Sequence, residues 1–335
     1  MKILWLDHAT RHGRHDDWLH YRFAKEIAKY ADIYFYAPYI HEIEPKFTPI
    51  PYQANILLAD VVKDLKIDVV ILDTKSTAFH NYLPDSLYHD KHAGNKYWLP
   101  SDFKTCDVLK ICIEEDFQYE TSYDWYEEHG FKAILQKHLI FTTGFKGNIP
   151  VYSFPFSADT NLFKPSDKSK GNFIVSKVGF AGSLKAANAL SSGSVYIPRE
   201  MAYDKLSDSG LLAPRSTPPG NKIVDNDYLE YLRKYVAYLS CGSVYNLTPA
   251  KMVEIMASGG ILITNKTYGL DQLFPSDTYI TYNKEASDLI EKVEGLFNRP
   301  ELMQTMAEKS LACIREKHSH EVRIKELFEI IRKHQ

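Results

Sequence analysis

YNLTPAKMVEIMASGGILITN, residues 245–265, is the stretch from which the fold can be read. Thr248 suits the cap of a helix, and Pro249 suits the first helical position, where its missing N–H costs nothing. Gly259 and Gly260 stop that helix before an apolar run of the kind found in buried parallel strands. The amides of the first turn and the positive end of the helix dipole make an anion site, to which Lys251 adds a full charge. Glu254 follows three residues later, on the same helix face and one turn deeper, where a carboxylate can accept hydrogen bonds from two ribose hydroxyls. A diphosphate beside a ribose describes a nucleotide. The plainer reading is that this is structural punctuation, with Lys251 and Glu254 a solvated surface pair.

Outward from this segment the same grammar repeats. Before it, VSKVGFAGS predicts a strand, residues 199–208 and 225–234 predict helices, and VAYLSC predicts another strand. After it, TYIT predicts a strand, and everything from Glu285 onward predicts helices with a break at Asn298, Arg299 and Pro300. The first half shows the same order. KILWLD is followed by a polar loop, a helical pattern over 17–30, the strand IYFYAP, a helix over 55–65 and the solidly apolar DVVILD. Strand VLKICIEED, a helix over 122–130 and short strands at LIFTTG and VYSFPF complete it. The expectation is an α/β chain of two Rossmann-like domains with a cleft between them. The first spans 1–158 on the acceptor side, the second spans 159–318 on the donor side, and a crossover helix occupies 319–335.

TPAKMVEIMASGG resembles the donor-binding motif of group 1 glycosyltransferases, particularly the family around the spore maturation protein CgeB. The resemblance continues through YGLDQLF, TYITYN and the final HSHEVRIKELFEII, covering about 240–331, and IPVYSFPFSADTNLFKP resembles the family's interdomain connection. It implies a GT-B fold, a nucleoside diphosphate sugar donor such as UDP-hexose, no metal or other cofactor, and a lean towards retention of anomeric configuration. It implies that Glu254 holds the ribose, that Lys251 with Gly182, Ser183 and Arg199 faces the diphosphate, and that the last helix returns to the first domain. Many group 1 enzymes carry a second glutamate eight positions before the ribose-binding one, and here that position is Asn246. For Gly182 and Ser183 the alternative is a tight strand-to-helix turn, and for Arg199 a solvated helix residue.

In the first half, the loop HATRHGRHDD follows the first strand and so belongs at the carboxyl edge of a parallel sheet, where ligands bind. Arg11, His12, Gly13 and Arg14 are candidates for contact with an anionic acceptor. His8, His12, His15 and His20 invite a metal reading but lack a carboxylate context, which favours solvated residues. Glu114, Glu115 and Asp116 end another strand; Glu115 and Asp116 join Lys251 as catalytic candidates, against the alternative that the triplet is solvated or paired with lysines.

The chain has 335 residues, enough for two cores, with 25% charged residues and a formal net charge of −3, so no global field draws it to nucleic acid. A hydroxyl acceptor of unspecified class, whether glycan, metabolite, protein or a hydroxymethylated base of viral DNA, stays open. The four cysteines, Cys106, Cys112, Cys241 and Cys313, form no CxxC pair, which fits a reduced cytoplasmic protein. No run approaches the ~20 apolar residues of a membrane span. A nucleotide-sugar epimerase of the same shape and a non-catalytic nucleotide-binding protein are the competing readings.

Overall fold

The computed structural model describes residues 1–6, 18–36, 48–50, 56–73, 99–114, 123–139, 142, 147–165, 174–180, 182, 184, 197–214 and 225–335. The chain forms two compact units, Met1–Pro155 with Ile324–Gln335, and Phe156–Arg323.

In the first unit β1 (Lys2–Leu6), α1 (Trp18–Ile27), β2 (Asp32–Tyr36), β3 (Thr48–Ile50), α2 (Leu58–Leu65) and β4 (Val69–Asp73) precede β5 (Leu109–Glu114), α3 (Tyr123–Glu128), β6 (Ala133–Gln136) and β7 (Val151–Ser153). The strands make one seven-stranded sheet in the order β3-β2-β1-β4-β5-β6-β7. Every pairing in it is parallel. Because side chains alternate along a strand, β1, β2, β4, β5 and β6 each feed two cores. Ile3, Trp5, Ile33, Phe35, Val69, Ile71, Ile111 and Ile113 point to one face, where Phe23, Ala24 and Ile27 of α1 cover them. Leu4, Leu6, Val70, Leu72 and Cys112 point to the other, under Leu58 of α2 and Trp125 and Tyr126 of α3. Burial on both faces explains why these strands read as unbroken apolar runs.

The second unit holds β8 (Ile174–Phe180), α4 (Ile197–Asp208), α5 (Asp225–Leu232), β9 (Tyr235–Leu239), α6 (Ala250–Ala257), β10 (Ile261–Asn265), α7 (Leu270–Leu273), β11 (Tyr279–Tyr282), α8 (Leu289–Phe297) and α9 (Pro300–Lys317). Its strands form a four-stranded sheet in the order β11-β10-β9-β8. Again all pairs are parallel. The last helix, α10 (His320–His334), begins in this unit and continues into the first. There Ile324, Leu327 and Ile331, each at most 1% exposed, join the core over β1 and β4.

One sequence expectation is corrected. The strand expected at LIFTTG lies earlier, at Ala133–Gln136, while Leu139 and Thr142 lie outside any strand. Two apolar runs, AIL and LIF, compete locally, and the parallel partners Ile111, Cys112 and Ile113 of β5 select the first. The short strand β3 and the single-turn α7 were not anticipated, being too short to show a period.

Candidate functional site

In each parallel sheet the loops that follow the strands share one edge, and in the second unit this edge carries most of the residues singled out from sequence. The chain leaves β9 through buried Ser240 and Cys241 into Gly242, where a Cβ would stand 2.7 Å from both the Leu247 carbonyl oxygen and Thr267 Cγ2. Only glycine fits that approach. The Gly242 N–H donates to Asn265 Oδ1 at 2.9 Å, tying the loop after β9 to the end of β10. Asn246 adopts a left-handed conformation with φ 56°. Its N–H donates to the Ser243 carbonyl at 2.9 Å and its carbonyl accepts the Tyr268 N–H at 3.0 Å. An amide side chain tolerates this conformation better than most residues do, so the residue standing where many group 1 enzymes have glutamate also has a backbone reason to be there.

Thr248 does not cap the helix. Pro249 takes the cap position, with φ −75° and ψ 156°, and its own side chain makes no cap hydrogen bond. The Thr248 hydroxyl instead pairs with the Thr267 hydroxyl at 2.9 Å. The shift of one position arises because Pro249 is extended rather than helical, and the anion-binding character of the helix start is unchanged because the orphan amides remain. Helix α6 is buried almost throughout, with Met252, Ile255, Met256 and Ala257 fully inside and Gly259 ending it at φ 77°.

Glu254 is therefore not a surface residue: it is 4% exposed on a helix whose other buried residues are all apolar. Its Oε2 accepts the Tyr228 hydroxyl at 2.5 Å. Tyr228 lies on α5, and half-buried Lys251 holds its Nζ over the Tyr228 ring, 5.2 Å from the centroid. Burial, and then the negative charge of Glu254, push the Tyr228 phenol well above its ordinary range, so it stays protonated and donating. Sequence reasoning overlooked Tyr228; the only local signal was a pair of tyrosines, 228 and 231, three apart on a helix.

Arg199 is buried in the first turn of α4, and its Nη2 donates to the Cys241 carbonyl at 3.0 Å. A Cβ on Gly182 would come within 3.5 Å of Arg199 Nη1. Gly182, Arg199 and Cys241 thus gather where β8 and β9 end. The Cys241 sulfur contacts the Tyr282 hydroxyl at 2.8 Å, and burial pushes its thiol up to about 11, which makes it inert.

Of the candidates in the first half, Arg11, His12, Gly13, Arg14, Glu115 and Asp116 lie outside the described residues, as does Ser183 in the second. Glu114 is described, and it is fully buried rather than solvated, accepting the Tyr126 hydroxyl at 2.5 Å. It shares the strand face of Cys112, which aims it at Tyr126. Among the described residues no three His, Cys, Asp or Glu side chains converge as a metal-ligand set. No described helix is long and apolar enough to cross a membrane.

Residues 191–329 match a family model described as glycosyl transferase-like. No curated protein matches the sequence. Among solved structures, a glycosyltransferase from Rickettsia africae is similar over 99% of this chain and 98% of that one, with TM-score 0.65 and 14% identity. Anabaena HepE in complex with UDP and glucose matches over 99% of both chains, with TM-score 0.64 and 13% identity. An alpha-glucosyltransferase in complex with UDP and a 13-mer DNA containing an HMU base also covers 99% of both, with TM-score 0.58 and 12% identity. With two Rossmann-like parallel sheets and full-length likeness to such structures, the chain has the GT-B fold, and its residues 191–329 are similar to the glycosyl transferase-like family.

Proposed function

We propose that the chain transfers a hexose from a nucleoside diphosphate sugar, with uridine as the nucleoside, to a hydroxyl acceptor, without a metal ion. The observation that carries this reading is Glu254, a carboxylate 4% exposed among the buried apolar residues of a helix whose first turn bears Lys251. Burying a carboxylate is costly unless hydrogen bonds compensate it. One hydroxyl reaches it from Tyr228, and a ribose diol would supply more. Uridine is favoured because UDP is bound in both HepE and the alpha-glucosyltransferase.

In this reading Glu254 holds the ribose, while Lys251, the first amides of α6, Arg199, Gly182 and Ser183 meet the diphosphate. Asn246 and Thr248 lie towards the transferred sugar. As the glycosidic bond breaks, negative charge grows on the leaving diphosphate, and prepositioned amides and cations stabilise it more than they stabilise the ground state. Glu115 and Asp116 are candidates to take the acceptor proton, and Arg11, His12, Gly13 and Arg14 to hold the acceptor. Membership of the CgeB-like branch, retention of anomeric configuration and a cytoplasmic location belong to the same proposal.

The test is a thermal-shift and turnover screen with UDP, ADP and GDP sugars, run with glycan, small-molecule, protein and hydroxymethylated-DNA acceptors, each with and without EDTA. A UDP-sugar should raise the melting temperature by mass action, and transfer should persist in EDTA. Donor converted to an isomer without acceptor would support an epimerase; nucleotide binding with no turnover under any arm would support the binding protein. No shift with any nucleotide would sink the reading.

A further inference from the structure

We propose that Tyr228 is a positioning residue for ribose recognition: its hydroxyl fixes one oxygen of Glu254, and its ring supports Lys251, so that both groups are oriented before the donor arrives. The inference rests on the reading of Glu254 as the ribose-binding carboxylate.

A glutamate has free rotation at its terminal bonds, and ordering it on binding costs affinity. Tyr228 removes that freedom. Its hydroxyl holds Oε2, and among the described residues nothing donates to Oε1, the oxygen left for a ligand hydroxyl. The same ring carries the Lys251 ammonium over one face and packs edge-on to Phe163, with centroids 6.5 Å apart. The carboxylate and the ammonium, three residues apart on α6, are thus linked through a side chain from another helix.

Helix α5 is itself a firm mount. Tyr231, one turn from Tyr228, accepts the Phe180 N–H at 2.8 Å, which pins the helix to the end of β8. Leu229 and Leu232 are buried, and just beyond the helix Arg233 donates to the Leu162 carbonyl at 2.8 Å and the Lys164 carbonyl at 3.1 Å. An element anchored at so many points holds Tyr228 in place without help from a ligand. Tyr228 therefore contributes to two affinities through separable parts: the hydroxyl to the ribose through Glu254, and the ring to the diphosphate through Lys251.

The separation defines the test. Binding of UDP, 2′-deoxy-UDP, 3′-deoxy-UDP and pyrophosphate is measured calorimetrically on the full chain and on Glu254→Gln, Tyr228→Phe and Tyr228→Leu, with melting temperatures recorded for each. Tyr228→Phe keeps the ring and its packing. It should lose about tenfold in UDP affinity and most of the preference for ribose over the deoxy forms, with pyrophosphate binding unchanged. Tyr228→Leu should lose pyrophosphate affinity as well. If Glu254→Gln abolishes ribose preference while Tyr228→Phe retains it in full, the positioning role is overturned and the ribose assignment stands. If Glu254→Gln leaves ribose preference intact, the assignment of Glu254 falls, and the role of Tyr228 with it.

Discussion

Each unit of this protein buries a glutamate under a tyrosine hydroxyl at the same 2.5 Å, yet the two pairs sit in different surroundings. In the first unit Glu114 and Tyr126 are both wholly inside, and Tyr126 sits edge-on to Trp125 and Phe131 in an aromatic cluster. In the second, Tyr228 is only half-buried, its ring faces a lysine, and Glu254 lies on a helix whose first turn has orphan amides. A buried carboxylate by itself is thus no sign of a binding site. What separates the two is what surrounds the tyrosine: Tyr126 packs into an aromatic cluster, whereas the Tyr228 ring carries the Lys251 ammonium at the start of a helix.

The largest effect should come from removing residues 319–335. This takes Ile324, Leu327 and Ile331 from the core of the first sheet, and each fully buried aliphatic side chain is worth about 1.5–3 kcal/mol. The first unit should lose most of its stability, and turnover should fall much further than UDP affinity. Calorimetric unfolding and UDP titration of the truncated chain check this. Equal losses in both would show that the units are not energetically separable.

Acid should distinguish the units next. His318, in the second unit, is 4% exposed and bonded through Nε2 to the Leu273 carbonyl at 2.9 Å. Burial, aided by Arg323 and Lys317 and opposed by that carbonyl, pushes its pKa down to about 4. The unfolded chain therefore takes up a proton near pH 6.5 that the folded chain refuses. This contribution to stability is complete above about pH 6.5 and is lost as pH falls towards 4, by up to about 3 kcal/mol. Denaturant melts between pH 7 and 4 should show the slope, and His318→Gln should flatten it. A slope identical in the variant would remove His318 from the account.

The two glutamates should then part company. Glu254→Gln should weaken UDP binding roughly ten- to a hundredfold while changing stability little. Glu114→Gln should do the reverse, costing about 1–3 kcal/mol of stability with UDP affinity unchanged. Loss of UDP affinity in both would erase the distinction between core and site. The smallest effect concerns the end of α6. Gly259 has φ 77° and a Cβ there would meet Pro165 Cγ at 3.0 Å, so Gly259→Ala should cost about 1–2 kcal/mol. A neutral result by thermal melt would mean that the segment 162–165 yields easily.

Local chemistry made much of this legible. Apolar runs without alternation, such as VVILD and ILIT, cannot serve as half-exposed strands, so the parallel α/β class followed from sequence alone. Gly259 and Gly260 marked the end of α6 because a helix needs a left-handed residue there, and Pro300 marked the start of α9 because proline suits a first turn. Such signals act within a few residues. What only the tertiary structure decided are the choices made by distant partners: AIL over LIF as β6, Thr267 as the mate of Thr248, and above all Tyr228 on Glu254, 26 residues away. The spacing of Lys251 and Glu254 looks the same whether the face is solvated or buried. Only the packing of α9 and β10 against α6, with Tyr228 reaching Glu254 from α5, makes Glu254 a buried carboxylate, because burial is a property of neighbours brought together by the fold and leaves no mark on the residue itself.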